Sequence, residues 1–160
     1  MNVPEILFRS STFDGLSEKE IDLLAQLFEE VNLPRGTEFI RECDVGEDVF
    51  LLVSGQVEVV MHQFGSADTQ VNLACVKPYD TVGEFALARS GGRRSASVVA
   101  KSDVVCIKTT VTQLERFFEQ HHHIGLVLYR NLFRTAVRRL TDTDIALRNT
   151  FHVFNKIGAI

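Results

Sequence analysis

The residues best equipped for chemistry lie in one short stretch, Val82-Gly-Glu-Phe-Ala-Leu-Ala-Arg-Ser-Gly-Gly-Arg-Arg-Ser-Ala-Ser-Val98. A turn at Gly83 leads into a short helical run that opens on Glu84, and a glycine-rich loop follows before Arg93 and Arg94. A helix N-terminus offers unpaired backbone N–H groups and roughly half a unit of positive charge, which suits a phosphate. An arginine adds a permanent cation whose planar fork of donors matches phosphate oxygens two at a time. Ionised Glu84 can only accept hydrogen bonds, so it suits the hydroxyls of a ligand. These residues predict a pocket for a phosphate beside a sugar, with either arginine able to reach in from the loop.

Other chemistries find less support. His121-His122-His123 point about 100° apart on a helix, so they cannot converge on one ion as an i, i+4 pair does. No metal site is expected. A metal-dependent jelly-roll enzyme would need His and Glu ligands clustered on strands, yet residues 37–108 contain a single histidine, His62. No Ser-His-Asp or Cys-His constellation has motif-level support, so the chain does not read as an enzyme. Cys43, Cys75 and Cys106 are odd in number and widely spaced, which favours reduced thiols and a cytoplasmic setting. No apolar run approaches the roughly 20 residues a membrane span needs, and the N-terminus lacks a signal-peptide pattern. A net charge of -4 argues against nucleic acid binding by the whole surface. The stripe Arg130, Arg134, Arg138 reads as a solvated helix face.

The elements that must position the pocket are legible in outline. Ser17 with Glu20 three positions on forms a capping box, and Leu16 and Ile21 form a hydrophobic staple. Ile21, Leu24 and Leu27-Phe28 continue at helical spacing, and Pro34-Arg35-Gly36 ends this region. From Thr37 to Lys108 short β-like runs follow: 39–40, 49–53, 56–61, 71–76, 97–100 and 104–107. Asp44-Val45-Gly46, Ser54-Gly55, Gly65-Ser66 and Lys77-Pro78 supply turns, Ser54-Gly55 being the clearest hairpin signal. Even spacing predicts an antiparallel sandwich or barrel. A short helix is expected over 111–118, and a longer one after His123. In that helix Phe133, Val137, Leu140, Asp144, Leu147, Phe151 and Phe154 recur at intervals of 4 and 3. This is the seam of two helices packed along their length, broken once by Asp144, and it predicts a parallel homodimer. The competing expectation is a helix lying on its own barrel, which ordinarily shows a wider apolar stripe.

The capped helix, the barrel-like run of strands, Gly-Glu-x-Ala-Leu at Gly83–Leu87 and Arg94-Ser95-Ala96 before a strand resemble the cyclic nucleotide-binding domain. That family includes regulatory subunits of cyclic-nucleotide-dependent kinases, nucleotide-gated channels and bacterial catabolite activator proteins. The resemblance covers about Phe8 to Thr150, and the spacing from Gly83 to Arg94 is most similar to the bacterial activators. It implies an α+β fold: an antiparallel jelly-roll barrel with an N-terminal helix, a short cassette helix, and C-terminal helices including a long dimer helix. One domain over 1–160 is expected, with helix and barrel at 8–108, the cassette at 82–98 and C-terminal helices at 109–155. By position, Glu84 after Gly83 would accept from the ribose 2′-hydroxyl, and the amides of Phe85 and Ala86 would face the cyclic phosphate. Arg94 and Ser95 would bind its oxygens. Ser97 would occupy the place of a purine-contacting hydroxyl that goes with cGMP preference. Arg138-Arg139-Leu140 resembles the activators' dimer helix, which puts Thr143 and Asp144 near the purine, Asp144 from the partner subunit. The implied function is a cytoplasmic, non-enzymatic sensor of cAMP or cGMP that acts on a separate protein, with no cofactor, membrane or DNA contact. A DNA-binding module after Ile160 is not expected. A cyclic dinucleotide or another anion on the same fold is the alternative.

Overall fold

The computed structural model describes the backbone of residues 1–62, 70–88 and 92–157, and the side chains of 1–61, 72–88 and 92–148. The expected turn at Gly65-Ser66, part of the Ser90-Gly91-Gly92 loop, and the side chains of Phe151 and Phe154 lie outside these described residues.

The chain begins with α1 (Val3–Phe8), a 3-10 turn at Ser11–Phe13 and α2 (Glu18–Ala25). The barrel strands are β1 (Glu29–Leu33), β2 (Glu38–Ile40), β3 (Asp48–Ser54), β4 (Val57–His62), β5 (Gln70–Val76), β6 (Thr81–Val82), β7 (Ser97–Ala100) and β8 (Val104–Thr110). A 3-10 helix at Glu84–Ala88 separates β6 from β7, and α3 (Val111–Phe118) and α4 (His122–Ile157) complete the fold. The strands form two antiparallel sheets, ordered β1-β8-β3-β6 and β2-β7-β4-β5, the jelly-roll arrangement.

The sequence of β3 explains how the barrel and the helices are joined. Its run Val49-Phe50-Leu51-Leu52 is buried throughout, because alternate side chains serve two cores. Phe50 and Leu52 join Val57, Val98 and Cys106 inside the barrel. Val49 and Leu51 face the other way, and with Ile107 they receive Leu7, Ile21, Leu24, Leu114 and Ile124 from the helices. Strand β1 is not among the strands that the sequence pattern predicts. Its sequence Glu-Glu-Val-Asn-Leu is mostly polar, and only Val31 and Leu33 pack on the barrel core while it pairs with β8.

Ser54-Gly55 is not a hairpin. β3 and β4 lie in different sheets, so this turn is a corner at which the chain changes layer. Gly55 adopts φ +97, and a Cβ there would stand 2.5 Å from the Asp103 carbonyl oxygen. The pressure on this residue comes from the neighbouring loop and not from a returning strand.

The capping box of α2 is present, and it has an electrostatic consequence. The Ser17 amide and hydroxyl donate to Glu20 at 2.8 and 2.7 Å, and His123 Nδ1 lies 2.6 Å from the other Glu20 oxygen. The Ser17 hydroxyl first, then the Ser17 amide and then His123 hold the Glu20 carboxyl down at about 2. Because the folded value is depressed, this stabilisation is present above the ordinary carboxylate range and is lost as pH falls towards about 2. Carboxyl-detected NMR should therefore find Glu20 titrating near pH 2, with Ser17→Ala raising it more than His123→Ala. An ordinary Glu20 titration would show that the box does not persist in solution.

Candidate functional site

The cleft is built outward from β6, which pairs with β3 through Phe50–Val82 and Leu51–Thr81. The chain then turns at Gly83, with φ +83. A Cβ there would lie 2.5 Å from the Asp48 carbonyl oxygen, so the approach of cassette to β3 requires glycine. The 3-10 helix that follows is anchored by Leu87 in the helical core and leaves Phe85 half exposed at the rim of the cleft. The Ala86 amide donates to the Gly83 carbonyl at 3.1 Å. In this structure the amide that the resemblance turns towards the phosphate is bonded within the turn.

Glu84 is buried, at 9% exposure, and Arg139 Nη1 of α4 donates to its Oε1. Burial pushes the Glu84 carboxyl above its usual range, and the Arg139 charge opposes that shift. Arg139 Nη2 reaches the Thr81 carbonyl at 3.5 Å. In the sequence Arg139 stands out only as part of the helix pattern, with no place in the pocket. A signal for its role exists: two residues beyond Val137 a helix has turned about 200°, so Arg139 faces away from the seam and towards its own barrel.

Arg94 lies opposite Glu84 in the cleft. Its amide donates to Asp44 O at 2.8 Å, and the Cys43 amide donates to Arg94 O at 2.9 Å, which fixes the residue against the 43–45 loop. Its guanidinium donates to Gly83 O at 3.1 Å and Asp48 O at 2.8 Å. Burial lowers its pKa, opposed by Asp48 and Glu84. Among the described residues it makes no ion pair. Arg93 is exposed and donates to the Cys43 carbonyl at 2.9 Å, at the outer edge of the same cleft.

Between these groups lies a cleft of about 380 Å³, floored by Ile40, Val59, Val82 and Val98 and edged by Ser95 and Ala96. Of the residues singled out from the sequence, Gly83, Glu84, Phe85, Ala86, Arg94 and Ser95 come together here. Ser97 does not. It is fully buried, and its hydroxyl accepts the Glu42 amide at 2.9 Å, which ties β7 to the chain after β2. Among the described residues, Ser95 is the serine that edges the cleft. Thr143 and Asp144 are exposed on α4 outside the cleft, the Thr143 hydroxyl donating to the Arg139 carbonyl at 2.9 Å.

The histidine run also resolves into separate roles. The His121 ring lies 4.2 Å from that of Phe117, and His123 is engaged by Glu20. Among the described residues no group of His, Cys, Asp and Glu is placed to hold a metal ion.

Comparison with known proteins gives a consistent result. The family model described as the cyclic nucleotide-binding domain matches residues 30–121. The Cyclic AMP receptor protein of Thermus thermophilus is 30% identical over 143 residues, covering 86% of this chain and 61% of that protein. The Pycsar effector protein XpPycTIR of Xanthomonas perforans is 31% identical over 124 residues, covering 76% of this chain and 36% of its own length. The crystal structure of the Thermus thermophilus catabolite activator protein superposes with a TM-score of 0.74 at 27% identity, over 87% of this chain and 62% of that one. The chain thus spans less than two thirds of each of these relatives.

Proposed function

The chain belongs to the cyclic nucleotide-binding domain family, and on that premise we propose that it is a non-enzymatic sensor of cAMP or cGMP. The observation that carries this reading is Arg94: a half-buried cation, held by two backbone carbonyls and lacking an ion-pair partner among the described residues, on an apolar cleft beside buried Glu84. A desolvated guanidinium in such a place is completed by an anion with paired oxygens. Arg94 takes the cyclic phosphate, with Ser95 and the Phe85 amide adding donors. Glu84, held in place by Arg139, accepts from the ribose 2′-hydroxyl. Ser95 lines the cleft and Ser97 is fully buried behind it, so Ser95 is the serine proposed to meet the ligand. The name of the Thermus thermophilus relative, a cyclic AMP receptor protein, supports cAMP as the first nucleotide to test.

The same proposal includes a homodimer. On α4 the residues Leu128, Asn131, Leu132 and Arg139 are turned inward, while Phe133, Val137, Leu140 and Leu147 are exposed at 47–71%. The outward stripe keeps the 4-3 rhythm that two parallel copies bury against each other. That exposure supports pairing between chains over a helix lying on its own barrel. Thr143 lies one turn beyond Arg139, so a purine extending from the cleft meets it, and Asp144 of the partner subunit completes the contact. Ligand binding that favours one α4 arrangement passes the signal to a separate protein. The cytoplasm is the setting proposed, since Cys43, Cys75 and Cys106 are free thiols. No helix among the described residues is long and apolar enough to cross a membrane.

Titration calorimetry with cAMP, cGMP and cyclic di-GMP tests the proposal. One of the two mononucleotides is expected to bind at micromolar concentration or tighter. Binding of cyclic di-GMP alone would move the ligand to the dinucleotide class, and no binding of any would reject the sensor.

A further inference from the structure

We infer that Asp144 makes self-association through α4 acid-dependent: the two facing carboxylates oppose closure of the seam near neutral pH, and uptake of a proton relieves them. The inference rests on the parallel pairing of α4 proposed above. In the repeat Phe133, Val137, Leu140, Asp144, Leu147, intervals of 4 and 3 place Asp144 at the seam position equivalent to Val137. In a parallel two-fold pair, a residue at that position lies across from its own copy. Asp144 therefore meets the partner subunit's Asp144.

The surroundings supply little to neutralise this pair. In the single chain Asp144 is exposed, and its carboxylate has no ion-pair or hydrogen-bond partner among the described residues. No other described element of the chain is packed against it. The neighbouring seam residues are apolar, Leu140 at 63% and Leu147 at 54% exposure, so closing the seam removes water from the carboxylates. The charged groups nearby on α4 are Arg148 one turn on, Asp142 two residues before, and Arg139. Arg139 is engaged by Glu84 on the opposite face. Arg148 makes no ion pair with Asp144 in this structure, and Asp142 adds to the negative charge.

Two carboxylates brought together in an apolar layer cannot both ionise freely, so the pair holds a proton more tightly than either group does alone. The sign follows from linkage. The paired carboxylates hold a proton that the separated chains release, so the dimer binds more protons. Association then strengthens as pH falls below neutrality, and the gain is absent at higher pH. Each proton taken up changes the association constant by roughly tenfold per pH unit within that window.

Sedimentation of the full chain without nucleotide, between pH 7.5 and pH 5.0, tests this for the wild type and Asp144→Asn. Asparagine keeps the size and polarity of the side chain and removes its charge. The wild-type dissociation constant is expected to fall roughly tenfold or more across that range. Asp144→Asn should already associate more tightly than wild type at pH 7.5 and should show a much flatter profile. General loss of charge near the isoelectric point of 5.7 acts on both proteins and cancels in the comparison. Dimers with the same pH profile in both proteins would overturn the role of Asp144 and leave the pairing of α4 standing. Monomers at every pH in both proteins would overturn the pairing as well.

Discussion

Replacing Arg94 with alanine should weaken cyclic-nucleotide binding by roughly 2–5 kcal/mol, the cost of leaving a desolvated anion without its partner. That corresponds to roughly 30- to 4,000-fold in dissociation constant. The size of the effect follows from position. The guanidinium is half-buried, oriented by Gly83 O and Asp48 O, and opposite a buried carboxylate. Arg93→Ala provides the comparison, since Arg93 is exposed and its guanidinium donates to the Cys43 carbonyl at the cleft's outer edge. It should cost less than about 1 kcal/mol, as expected for an interaction screened by solvent. Calorimetry on both variants, with thermal unfolding to confirm that each is folded, separates the two arginines. Equal damage from Arg93→Ala with little from Arg94→Ala would move the phosphate contact one residue upstream. Arg94→Lys adds a finer test, because lysine keeps the charge but loses the planar fork and the paired hydrogen bonds. It should bind more weakly than wild type and more tightly than Arg94→Ala.

The second large effect is on stability. Gly55→Ala should destabilise the fold by about 2–4 kcal/mol: roughly 1 kcal/mol for a side chain at positive φ and roughly 1–3 kcal/mol for overpacking. The overpacking arises because the new Cβ would meet the Asp103 carbonyl oxygen at 2.5 Å and Val104 at 2.8 Å. Backbone lies on both sides of that contact, so a rotamer change cannot relieve it. Gly36 isolates the two contributions. It has φ +88 but nothing within 4 Å of a Cβ, so Gly36→Ala should cost only the roughly 1 kcal/mol of backbone strain. Urea unfolding of the two variants with an unchanged slope measures the difference directly. Equal losses would mean that the corner between the two sheets moves to accept a side chain.

Features confined to a short window of chain are legible in the order of the amino acids alone. The Ser17–Glu20 capping box depends on residues three apart, the β3 run on five neighbouring apolar residues, and the outward stripe of α4 on a repeat along one helix. The cassette is legible for the same reason, since Gly83, Glu84, Arg94 and Ser95 lie within a few turns of chain. Strand β1 is hidden because its burial is one-sided and its composition polar. Ser54-Gly55 carries the residues of a hairpin, and a corner between sheets needs the same positive φ. Only the pairing of β3 with β8 and of β4 with β7 distinguishes the two. The inward turn of Ser97 towards Glu42 and the reach of Arg139 to Glu84 each join residues 55 positions apart. Backbone preference and hydrophobic period are local quantities, so the chain states them residue by residue. Which carbonyl receives Arg94, and which arginine receives Glu84, depends on how separate elements pack, and that is settled when the barrel and α4 come together.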